Sequence, residues 1–197
     1  MCGYFFQEGI GTVYHYLEPS REVECHRETV KTAVSCLEYK FKSEFEEEIM
    51  KVKRCVKESF VVIGKEGSTL DGEGFIQRLW ADANSHFGEV RHLAKKDENG
   101  NISGIWGAMS DFSHSFNPWE DFNKGLYLAG VECRDDAEAP NGWTKRIIPG
   151  YEYIYIECEN NAAFSAAIKY LEDNGIPLVG AVHDFICPQT GKILYRL

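Results

Sequence analysis

Pro149-Gly150-Tyr151-Glu152-Tyr153-Ile154-Tyr155-Ile156-Glu157-Cys158 is the stretch that decides how this chain folds. The Pro-Gly pair interrupts whatever precedes it, and the residues that follow alternate strictly in character. An alternation of period two is that of a strand with two unlike faces. Tyr151, Tyr153 and Tyr155 share one face with Glu157, while Glu152, Ile154 and Ile156 take the other.

Downstream, a helix is predicted from about Ala162 to Asp173, with Phe164, Ala167, Ile168 and Leu171 on one side. Asn174-Gly175 ends it and Pro177 prevents its continuation. Two strands follow, around Val179 to Cys187 and Lys192 to Leu197, joined by the turn Pro188-Gln189-Thr190-Gly191. The order is strand–helix–strand–strand.

The same order runs upstream. Ser59-Phe60-Val61-Val62-Ile63-Gly64 reads as a strand, and the turn-rich Gly67 to Gly74 connects it to a helix. That helix places Phe75, Ile76, Leu79, Trp80, Ala83 and Phe87 on one side and stops at Gly88. A turn over Asp97 to Asn101 precedes a strand from Ile102 to Met109. Phe112 to Lys124 is a loop carrying Trp119, and Gly125 to Cys133 is a further strand. The expected fold class is α+β, with duplicated strand–helix–strand–strand units forming one antiparallel sheet and two helices on one face. The free face, or the groove at the seam between the units, is left for a ligand.

N-terminal to these units, Ser20 to about Lys57 carries Val23, Val30, Val34, Leu37, Phe41, Phe45, Ile49, Val52 and Val56 at helical spacing. The domain division expected is an N-terminal helical extension over residues 1–56 and a folded domain over 57–197. Such a helix suits packing on its own domain, a homodimer contact, or a link to a larger regulator. Residues 1–19 show no assignable pattern.

Composition bounds the function. The chain has 197 residues, 44% hydrophobic and 26% charged, enough for a core without staples. Its seven cysteines form no CxxC pair, so neither a metal site nor a disulfide framework is expected, and free thiols suit a reducing compartment. A formal net charge of −10 argues against direct nucleic-acid binding. No signal peptide or membrane-length apolar run is read, so no membrane partner is expected and the assigned location is cytoplasmic. No nucleophile elbow, phosphate loop or dinucleotide fingerprint occurs, so no cofactor is expected.

Ile105-Trp106-Gly107-Ala108-Met109-Ser110-Asp111-Phe112, Gly125 to Glu132, Pro140-Asn141-Gly142-Trp143 and Ile147 to Tyr153 together resemble the GyrI-like effector-binding superfamily, nearest its integron-associated branch. The resemblance covers roughly residues 57–197. It implies a hydrophobic pocket on a pseudo-twofold axis that takes amphipathic or cationic organic molecules, in transcription regulators, in multidrug binding or in stand-alone proteins. Some stand-alone relatives hydrolyse cyclopropane-containing toxins. Where many relatives carry Glu-x-Tyr in the penultimate strand, this chain has His183-Asp184-Phe185. His183 takes the glutamate's place and Phe185 the tyrosine's, and alternation sends Asp184 to the opposite face.

The ligand-binding residues expected are Trp80, Trp106, Tyr127, Glu132, Tyr153, Tyr155, His183 and Phe185. The tyrosines of 151–155 fit an aromatic box or a solvated strand face. Glu132, in an apolar strand, is either a paired pocket acid or an exposed residue past the strand's end. His183 is a proton carrier, a ligand partner or a satisfied core histidine. The leading function is binding of a small hydrophobic, amphipathic or cationic molecule. The alternative is hydrolysis of a reactive ligand, with Glu132, Glu157 or His183 acting on water.

Overall fold

A computed structural model describes residues 52–157, 163–188 and 190–197. Strands β1 (Lys53–Lys57), β2 (Phe60–Ser68), β3 (Ile105–Ser110), β4 (Leu126–Cys133), β5 (Thr144–Ile148), β6 (Tyr151–Glu157), β7 (His183–Ile186) and β8 (Ile193–Arg196) accompany helices α1 (Phe75–Ser85) and α2 (Ala163–Asp173). The strands form one sheet in the order β1-β6-β8-β7-β3-β4-β2-β5, with every pair antiparallel.

Chain connectivity forces this sheet to curl. β1 and β2 stand first and seventh in the order, yet only Glu58 and Ser59 lie between them in sequence. In a flat sheet the strand spacing of about 4.8 Å would separate them by roughly 29 Å. Three peptide links reach at most about 11 Å. The eighth and second strands, β5 and β6, are joined by Pro149 and Gly150 under the same constraint. The ends of the sheet therefore approach each other, leaving a concave and a convex face.

Side chains from strands far apart in the order meet only inside the curl. Lys57 of β1 reaches Glu132 of β4, and Arg196 of β8 lies over Trp106 of β3, so these residues mark the concave face. Alternation then assigns the rest. Phe60, Val62, Trp106, Leu128, Ile148 and Phe185 pack inside, with Phe116 from the loop after β3. Val61, Ile63, Tyr127, Ala129 and Val131 face outward, where Phe75, Ile76, Trp80 and Ala83 of α1 cover them. Ile156 is covered on the same convex face by Ala163 and Ala167 of α2.

Two segments differ from expectation. Lys53–Lys57, expected as the last turn of the long helix, is a strand paired with β6, from Lys53 opposite Tyr155 to Lys57 opposite Tyr151. Val52 and Val56 extend the helical stripe in sequence, but backbone pairing with a segment about a hundred residues away prevails over that local pattern. The domain accordingly begins before residue 57. The remainder of the expected helix lies outside the described residues. β5 was not expected at all; Lys145 and Arg146 break its alternation, and it is held by five paired positions from Phe60 opposite Ile148 to Gly64 opposite Thr144.

Candidate ligand-binding site on the concave face

The concave face is walled by aromatic rings. Trp106 is fully buried, its ring centroid 4.6 Å from that of Phe60 and 4.8 Å from that of Phe185. The register of β3 against β7 sets Trp106 directly opposite Phe185, and that against β4 sets it opposite Gly130. Gly104 makes the cluster possible. A β-carbon there would stand 2.6 Å from Trp106 Nε1, 2.9 Å from Phe185 Cε2 and 3.2 Å from Glu132 Oε2.

Glu132 is 2% exposed and is fully engaged. Its Oε2 accepts a hydrogen bond of 3.2 Å from Trp106 Nε1, and its Oε1 lies 3.0 Å from Lys57 Nζ and 3.6 Å from Lys95 Nζ. An isolated buried carboxylate is costly, and here two cations and an indole compensate it. Lys57 Nζ also sits 4.3 Å from the Phe60 ring centroid. Of the two readings of Glu132, the structure selects the buried, paired acid.

Arg196 occupies the middle of the face. Its guanidinium carbon lies 4.1 Å from the Phe185 ring centroid, 5.0 Å from that of Trp106 and 5.7 Å from that of Tyr155. These separations are those of cation–π contacts, so the aromatic rings of this face hold one of the chain's own cations. Arg196 stands opposite Tyr155 on β6 and opposite His183 on β7. Its Nη1 is 3.6 Å from Cys55 Sγ.

His183 has no exposed surface. Its Nδ1 accepts the backbone N–H of Met109 at 3.1 Å. Burial, and secondarily the charge of Arg196, lowers its pKa to about 3, so the ring is neutral. With Nδ1 acting as acceptor, the ring proton resides on Nε2. Tyr153, 1% exposed, lies 6.2 Å from His183 between ring centroids. Burial raises its phenol out of the physiological range, so it stays protonated.

Of the expected ligand-binding residues, Trp106, Glu132, Tyr153, Tyr155, His183 and Phe185 share the concave face. Trp80 and Tyr127 do not. Trp80 Nε1 donates to Tyr127 Oη at 3.2 Å and Tyr127 donates to Asp184 Oδ2 at 2.8 Å, a chain that ties α1 to the convex face. The sequence places Tyr127 out of phase with Glu132, and that phase difference already separates the two groups. The side chain of Glu157 lies outside the described set. Arg196, Lys57 and Phe60 were missed. Alternation from Leu194 would have exposed Arg196, since both point to one side of the last strand.

A cleft of about 250 Å³ opens beside β6, lined by Tyr151, Tyr153, Ile154, Leu171, Leu178 and Val179 among others. No helix among the described residues is long and apolar enough to cross a membrane.

No sequence-family model matches the chain, and no curated protein matches it. Among solved structures, the EcmrR C-terminal domain is similar with a TM-score of 0.53 at 11% identity, over 75% of this chain and 96% of that one. SAV2435 bound to tetraphenylphosphonium aligns with a TM-score of 0.43 at 14% identity, over 75% and 92%. The integron cassette protein VCH_CASS2 from Vibrio cholerae aligns at 0.41 and 10% identity, over 75% and 95%. The first likeness shows the fold, an antiparallel sheet with its helices on one face. The expected resemblance is supported in the fold alone.

Proposed function

We propose that this protein binds a small hydrophobic, amphipathic organic molecule on the concave face of its sheet, for sensing or sequestration. The observation that carries the reading is the position of Arg196. A planar cation lies against Phe185, Trp106 and Tyr155, so these rings are chemically suited to a flat group. Arg196 stands on the four-residue strand β8, where a side-chain rotation would open a recess to a guest.

The sheet order supports reading the domain as a duplicated unit. β2-α1-β3-β4 and β6-α2-β7-β8 each contribute their strands in the spatial order first, third, second, and the two sets meet at the β3–β7 pair. The recess lies at that seam, where Trp106 of one unit faces Phe185 of the other. A role as the ligand-sensing part of a transcription regulator, or in multidrug binding, accords with this arrangement.

Hydrolysis has less support in the geometry. A general base needs a free acceptor atom within reach of a water. His183 spends its acceptor nitrogen on Met109, and Glu132 is engaged by Lys57, Lys95 and Trp106.

Titration with a panel of amphipathic aromatic dyes, followed by tryptophan fluorescence, tests the proposal. Saturable quenching that Trp106→Ala weakens about tenfold is expected, from loss of a stacking ring. A linear response, or one that Trp106→Ala leaves unchanged, would remove it.

A further inference from the structure

We infer that the buried patch of the concave face around His183 and Arg196 is a subsite for an anionic acceptor group, a carboxylate above all, so that the guest is an amphipathic anion. This rests on the concave face being the binding site and names the chemical class it takes.

Three side-chain atoms on adjacent strands carry the argument. Tyr153 Oη on β6, Arg196 Nε on β8 and His183 Nε2 on β7 are each buried without a hydrogen-bond partner among the described residues. Buried polar groups are nearly always paired, and each unpaired one is costly. Arg196 is opposite His183 in register and flanked by Tyr155, two residues from Tyr153 on the same face, so the three belong to one patch.

All three atoms offer hydrogens. The guanidinium is donor-only. The imidazole has given its lone pair at Nδ1 to the Met109 N–H, so Nε2 carries the proton. The phenol is protonated and can turn its O–H inward. No acceptor among the described residues answers them. A carboxylate supplies acceptor oxygens and the counter-charge that Arg196 lacks among the described residues, where Glu132 is committed to Lys57 and Lys95. Hydrogen bonding by Trp106, Phe60 and Phe185 is already settled or absent, so those rings are left to hold the apolar body of the same molecule. A lipophilic cation would face Arg196 at close range in a low dielectric, where like charges repel.

Calorimetric titration of the whole chain with three probes sharing one ring system tests this: naphthylacetate, naphthylacetamide and naphthylmethylammonium. The expected order is carboxylate over amide over ammonium, with at least about a tenfold gap between the first and last, from charge-assisted hydrogen bonds. Tyr153→Phe should weaken naphthylacetate several-fold without lowering the thermal midpoint, because it deletes a hydroxyl that no group among the described residues pairs. Arg196→Gln should narrow the carboxylate–ammonium gap to within about threefold. Equal affinities for the three probes, or a preference for the ammonium, would overturn the acceptor subsite while leaving the concave face as a binding site. The absence of saturable heat with all three would overturn both.

Discussion

Lys57 and Glu132, 75 positions apart in sequence, meet at 3.0 Å inside the curl of the sheet. Lys57 closes β1 and Glu132 stands near the end of β4, so this one pair draws the first strand of the sheet over the sixth. It also fixes Trp106, whose indole nitrogen donates to the other oxygen of the same carboxylate at 3.2 Å. The pair therefore links the shape of the domain to the aromatic cluster of its concave face.

Replacing Glu132 by alanine leaves two lysines and an indole N–H without their acceptor. Breaking a buried pair by removing one partner costs about 3 kcal/mol or more, and the partial exposure of Lys57 reduces this to roughly 2 kcal/mol. Urea denaturation should show that loss. Lys57→Met in the same background should restore part of it, since no unpaired cation then remains at that position.

Tyr127→Phe should cost about 1–2 kcal/mol by opening the chain from Trp80 through Tyr127 to Asp184. Because this chain lies on the convex face, ligand affinity should be unchanged in titrations at a temperature where the variant is folded. Gly107→Ala acts at the same place. Its β-carbon would collide with the Tyr127 hydroxyl, so the tyrosine must leave Asp184 and the variant should be less stable than Tyr127→Phe.

His183 makes stability fall in acid. Its pKa is lowered from 6.5 in the unfolded chain to about 3 in the fold by burial. Between those values the unfolded chain binds one proton more than the native one, so stability rises with pH across that window. It is fully present above about pH 6.5 and declines by up to about 1.4 kcal/mol per pH unit below it. Urea midpoints measured at pH 7.5 and pH 5 should drop more for the natural sequence than for His183→Gln. Equal drops would show that the ring is already solvated.

Much of the fold was legible because local pattern and tertiary role agree. Phe60 to Ile63 and Leu126 to Cys133 are β-branched and apolar runs in a doubly covered sheet, and their composition alone marks them as strands. α1 and α2 each present one apolar side to the convex face and end at turn residues. β1 and β5 were not legible. Both are edge strands of charged and apolar residues whose only reason to be extended is a partner remote in sequence. The site divides in the same way. Period-two alternation correctly set His183 and Phe185 apart from Asp184, as it would have set Glu132 apart from Tyr127. The contact of Arg196 with Trp106, Phe185 and Tyr155 depends on the strand order, for which there is no local signal.

The most direct test follows the indole N–H resonances in a proton–nitrogen correlation spectrum during addition of naphthylacetate, with the Trp106 signal assigned from Trp106→Phe. The Trp106 resonance should shift and saturate while that of Trp80, on the opposite side of the sheet, stays in place. A saturating shift at Trp80 with Trp106 unmoved would put the guest on the convex face and contradict the account.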